Sequence, residues 1–161
     1  MTAHHRFFSA CSTSTLALAL AACGKPDLPP PASPGPLAAC QVDDDGQART
    51  WTCGDLIALE FAADPATAEQ ARVVLEDFAK CFDDARAVRT DTPWRHGAEA
   101  FPSVRMEGTT AEGRRYTAQM IVISRPDGSR VVQCASKSPV APCEPILDHL
   151  VKSGEAPPAV D

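Results

Sequence analysis

The chain has 161 residues, 44% of them apolar, and its 15 lysines and arginines against 21 aspartates and glutamates give a net charge of −6 at neutral pH. That balance argues against a general nucleic-acid binder, whose affinity comes from cationic side chains displacing counterions from phosphates. The length suits one hydrophobic core and not two, and no internal repeat divides it.

The first 23 residues follow the order of an export signal. Arg6 and two histidines open a polar stretch, an apolar run fills residues 16–20, and small residues lead to Cys23. The tetrapeptide Leu20-Ala21-Ala22-Cys23 resembles the lipobox of bacterial lipoprotein signal peptides. The resemblance implies that residues 1–22 are removed and that the Cys23 thiol carries a diacylglycerol in a bacterial cell envelope, with palmitate-class chains in the lipid bilayer. Each buried methylene contributes about 0.8 kcal/mol, so several chains hold stably where one is marginal. An uncleaved spanning helix fits less well, since residues 7–22 fall short of the roughly 18–20 that a bilayer requires. The same four letters recur at Leu37-Ala38-Ala39-Cys40, but prolines precede that copy and no apolar run does. Gly24 follows the anchor where an aspartate favours inner-membrane retention in enteric lipoproteins, so the resemblance implies the periplasmic face of an outer membrane.

Residues 23–37 form the lipidated cysteine and a linker. Six of the fourteen residues from 24 to 37 are proline, which fixes φ and lacks the amide hydrogen that helices and sheets need. In polyproline II geometry, at about 3.1 Å per residue, such a linker spaces a domain roughly 40 Å from the bilayer. A single domain is expected over residues 38–154, followed by a frayed tail at 155–161. Residues 1–22 hold one cation and no anion, so their removal leaves a net charge of −7.

In the domain, two short segments around Cys40 and Cys53 flank Asp43-Asp44-Asp45-Gly46 and predict a hairpin, with a further strand over 56–61. A calcium loop is excluded, because counting back five residues from Gly46 reaches Gln41 and not an acidic ligand. Asp64 and Pro65 open a helical pattern whose apolar stripe runs through Ala71, Val74, Leu75, Phe78, Cys81, Phe82 and Ala85, with an end near Ala87. A loop holding Asp91, Pro93 and Trp94 follows. Three strands are then expected at 103–107, 114–124 and 129–135, the last two joined by Arg125-Pro126-Asp127-Gly128. Residues 120–123 are apolar throughout, as suits a middle strand covered on both faces. Residues 143–151 form a second helix, capped by Gly154. The fold class is therefore α+β: a small antiparallel sheet, made of an N-terminal hairpin plus a three-stranded meander, packed by one long and one short helix.

An exported chain meets an oxidising compartment where cysteines pair. Beyond the anchor stand five, and their loop lengths favour Cys40 with Cys53 and Cys134 with Cys143. Each short loop contributes about 3 kcal/mol by the chain-entropy model. Cys81 is expected as an inert thiol on the helix stripe, with a bridge from Cys81 to Cys53 as one alternative. The sharper alternative is a thiol-based enzyme or redox protein using Cys81 with His96 or His149, which needs a lowered thiol pKa and access. Zinc at Cys134, Cys143 and His149 is the weaker reading, because no Cys-x-x-Cys pair presents two thiolates. No serine elbow or phosphate loop is present, and no cofactor or metal is implied.

The positive charge concentrates in residues 86–137, with nine cations against five anions. Trp94, Arg95, Arg114, Arg115, Tyr116, Arg125 and Arg130 are the candidate partner contacts, since exposed aromatic and arginine side chains dominate interface energetics. The expectation is a non-catalytic binding or structural module whose partner is an envelope protein or cell-wall polymer.

Overall fold

The computed structural model describes residues 35–63, 68–82, 87–109, 112–125, 128–137 and 142–153. Cys23 and the export signal, the linker through residue 34, the expected caps at Asp64, Pro65 and Gly154, the Pro126-Asp127 turn and the tail lie outside the described residues.

The elements in chain order are β1 (Gln41–Asp44), β2 (Ala48–Cys53), β3 (Leu56–Ala63), α1 (Ala68–Lys80), β4 (Val88–Thr90), β5 (Trp94–His96), β6 (Glu99–Phe101), β7 (Ser103–Thr109), β8 (Arg115–Arg125), β9 (Gly128–Ser136) and α2 (Glu144–Ser153). Seven strands make one antiparallel sheet in the order β1-β2-β3-β9-β8-β7-β4, and β5 and β6 pair separately. The expected hairpin and meander are thus halves of one sheet, joined where β3 runs antiparallel to β9 from Leu56 opposite Ser136 to Ala63 opposite Ser129.

Turn chemistry fixes the first half. Asp44 accepts the Gly46 amide at 2.9 Å, and Asp45 accepts those of Gln47 and Ala48 at 2.9 and 2.7 Å, so two of the three aspartates build the β1–β2 turn. Gly54 takes φ 62° in the β2–β3 turn, a left-handed conformation that favours glycine. That tight turn sets Cys53 opposite Leu56 and therefore Arg49 opposite Glu60.

Alternation along the central strands buries both faces. In β8, Met120 and Val122 face α1 while Ile121 and Ile123 face α2, as expected for a covered middle strand. Ala71, Leu75, Phe78 and Phe82 from the α1 segment pack on Val104, Met106, Tyr116 and Ala118. On the opposite face Ile146, Leu147, Leu150 and Val151 of α2 pack on Ile121, Ile123, Val132 and Cys134. The sheet is a wall between two helical layers.

Three expectations change. The helix stops at Lys80, short of 87, because the amides of Cys81 and Phe82 turn back to Phe78 and Ala79 in tighter i to i−3 bonds. The expected loop is kept at Asp91 and Pro93, but β4 precedes it and Trp94 opens β5, three-residue strands too short for a periodic signal. Leu37, assigned to the linker, is 4% exposed in the α2-side core, so the fold reaches back at least to a 3-10 turn at Gly35–Leu37.

Candidate functional site

The α2 face carries two disulfides and a buried ion network. Cys134–Cys143 joins β9 to the residue before α2, with Cα atoms 5.6 Å apart, and Cys40–Cys53 closes the β1–β2 hairpin base at 4.6 Å. Both bridges are the expected ones. Further along the same face runs a chain of charges, buried except at Asp44. Glu60 (2% exposed) bridges Arg49 at 3.3 Å and Arg130, while Arg49 Nε donates to Asp44 Oδ2 at 2.6 Å. Arg130 Nη2 also donates to the Val151 carbonyl at 2.9 Å, filling one of the acceptor positions that a helix C-terminus leaves open. The Arg49 guanidinium lies 5.8 Å from the centroid of the Trp51 ring, within cation–π range.

The Asp44 carboxyl lies below its ordinary pKa, first because Arg49 hydrogen-bonds it and then because the Gly46 amide does, against a small opposing effect of burial. Glu60 and Arg49 escaped the reading of the sequence as site residues. Their signal was the Gly54-Asp55 turn, whose register sets opposite charges face to face.

The expected contact residues do not form one surface. Arg130 and Tyr116 are buried and offer nothing to a partner. Tyr116 stacks on Phe82 with centroids 5.7 Å apart, and its ring lies so close over Gly108 that a Cβ there would stand 2.6 Å from the phenol oxygen. Burial pushes the phenol pKa up. Trp94 is half-buried on the α2-side core with its indole nitrogen enclosed. Arg95, Arg114 and Arg115 are exposed. Arg115 and Arg125 stand at opposite ends of the eleven-residue β8, about 30 Å apart at roughly 3.3 Å per residue. What remains together is the pair Arg114 and Arg115 at the β7–β8 turn.

The sheet also separates the groups of the thiol-based reading. Cys81 lies with the α1-side core, whereas His96 and His149 belong to the α2 side. His96 Nδ1 stands 3.3 Å from Asp148 Oδ1, tying the β5–β6 hairpin to α2. The Asp148 carboxyl is held below its ordinary range first by the Lys152 ammonium at 2.7 Å and less by His96. The His149 ring packs against Gly35, where a Cβ would come 2.5 Å from its Cε1. In the unprocessed chain Cys81 is disulfide-bonded, and the inert thiol is expected of the chain that has lost residues 1–22.

Cys134 and Cys143, two of the three weighed zinc ligands, are likewise bonded to each other. Among the described residues no three histidine, cysteine, aspartate or glutamate side chains gather to hold a metal ion, and no helix is long and apolar enough to cross a membrane. No family model, curated protein or solved structure matches this chain.

Proposed function

We propose that this protein is a lipid-anchored module of the bacterial cell envelope, tethered through Cys23 and acting by binding or by structural support rather than by catalysis. The observation that carries the reading is the pair of disulfides, Cys40–Cys53 and Cys134–Cys143, in a chain that opens with a lipobox-like sequence, since such bridges persist in oxidising compartments outside the cytoplasm. The exposed Arg114 and Arg115 at the β7–β8 turn are its docking candidates toward an envelope protein or a cell-wall polymer. The periplasmic face of an outer membrane is the site favoured by Gly24.

The test is intact-mass analysis of the membrane-extracted protein together with a Cys23→Ser variant. A diacylglycerol thioether on Cys23, lost with membrane association in Cys23→Ser, is the expected result. An N-terminus upstream of Cys23, or an unmodified Cys23, overturns the anchor. Docking is tested separately by crosslinking with Arg114→Glu plus Arg115→Glu, where an unchanged set of crosslinked partners removes the turn from consideration.

A further inference from the structure

We propose that residues 35–44 form a strap whose clasp is the Cys40–Cys53 disulfide, and that reduction by a dithiol releases the strap and lengthens the tether. The tether part rests on lipid attachment at Cys23, and the clasp does not.

The strap has almost no core of its own. Leu37 is its one buried side chain, and all four residues of β1 are exposed on an edge strand paired only with β2 among the described residues. Four attachments hold it: Leu37 in the α2-side core, Gly35 beneath the His149 ring, the Cys40–Cys53 bond, and the Asp44–Arg49 ion pair at the far end. Edge pairing alone is weak, because β1 is paired on one side only among the described residues and its four exposed side chains bury little apolar surface. The bond keeps Leu37 three residues from a covalently fixed point, so its local concentration at the core stays high.

The two described bridges differ in access. Cys134 and Cys143 are 0% and 1% exposed, whereas Cys40 and Cys53 are only half-buried. Exchange requires a thiolate to reach a sulfur, so the clasp is the bridge an external dithiol meets first. One thiolate of the dithiol attacks a clasp sulfur, forming a mixed disulfide and expelling the other cysteine as a thiolate that takes up a proton. The second thiol of the reductant, on losing its proton, attacks the mixed bond. Two protein thiols and one oxidised dithiol result, with two electrons transferred. With the clasp open, the first firmly held residue moves from Gly35 to Asp44, and nine freed residues add about 30 Å of reach at ~3.3 Å each.

The test treats the native full-length protein with dithiothreitol, quenches by alkylation, and reads peptides by mass spectrometry beside hydrogen exchange. Cys40 and Cys53 should be alkylated at least about tenfold faster than Cys134 and Cys143. Exchange should rise about tenfold in residues 35–44 with β8 and β9 unchanged. The variant carrying Cys40→Ser and Cys53→Ser should show the same exchange without reductant; where it does not fold, the reductant series still decides. Simultaneous loss of both bridges, or selective reduction with unchanged exchange at 35–44, overturns the strap. Repeating the series on Cys23→Ser separates it from the anchor: failure of lipidation leaves this readout intact.

Discussion

The two faces of the sheet are covered by helices of similar length held in different ways. Thirteen-residue α1 lies on β7 and β8 through apolar contact, with Phe78 and Phe82 meeting edge-on at 5.1 Å. Ten-residue α2 has apolar contact as well, but a disulfide precedes its start and Arg130 holds a carbonyl near its end. The α2 layer also carries more pieces, namely the Gly35–Leu37 turn and the β5–β6 hairpin. A helix that must position two accessory segments is fixed at both ends, whereas α1, which covers the sheet, adds to its apolar stripe one solvent-facing ion pair from Glu76 to Arg89 of β4.

Breaking each face in turn sharpens that contrast. Glu60→Gln leaves Arg49 and Arg130 buried without their shared counter-charge, and should cost about 3–5 kcal/mol in urea unfolding. Replacing Glu60, Arg49 and Arg130 together by Leu, Met and Met should recover most of the loss, because the penalty lies in the stranded charge and not in the missing pair. On the α1 face, Phe78→Ala removes a fully buried ring and should cost about 3 kcal/mol, with no comparable rescue by polar redesign.

The smallest effect is pH-dependent. Folding lowers the Asp44 carboxyl pKa, so its contribution is fully present above the unfolded value and is lost as pH falls through the folded one. Protection of β1 amides, referred to the intrinsic exchange rate at each pH, should therefore fall below about pH 4. Asp44→Asn should flatten that dependence, and a β1 exchange rate with the same acid response in Asp44→Asn would remove the ion pair as its cause. As a partly solvated pair it contributes no more than about 1 kcal/mol.

Much of the framework was legible in the residues. Turn residues marked the ends of β1, β2, β8 and β9, an apolar run marked the middle of β8, the helical stripes marked α1 and α2, and short cysteine loops marked both described bridges. What escaped depends on contacts distant in sequence or too brief to be periodic. β4, β5 and β6 have three residues each, and β4 is wholly exposed, its Arg89 held between Glu76 and Asp91. Arg130 looked like a surface cation because Glu60, its counter-charge, stands 70 residues earlier.

The pairing of β3 with β9 has a consequence for the order in which this protein is made. β3 occupies the interior of the sheet, yet the neighbour that completes it is the last strand to be synthesised. Three N-terminal strands therefore wait, with one edge open, until the final quarter of the polypeptide emerges. Contacts so distant along the chain make folding slow, and a chain that folds late stays threadable. For a protein proposed to leave the cytoplasm through a narrow pore, delay is an asset.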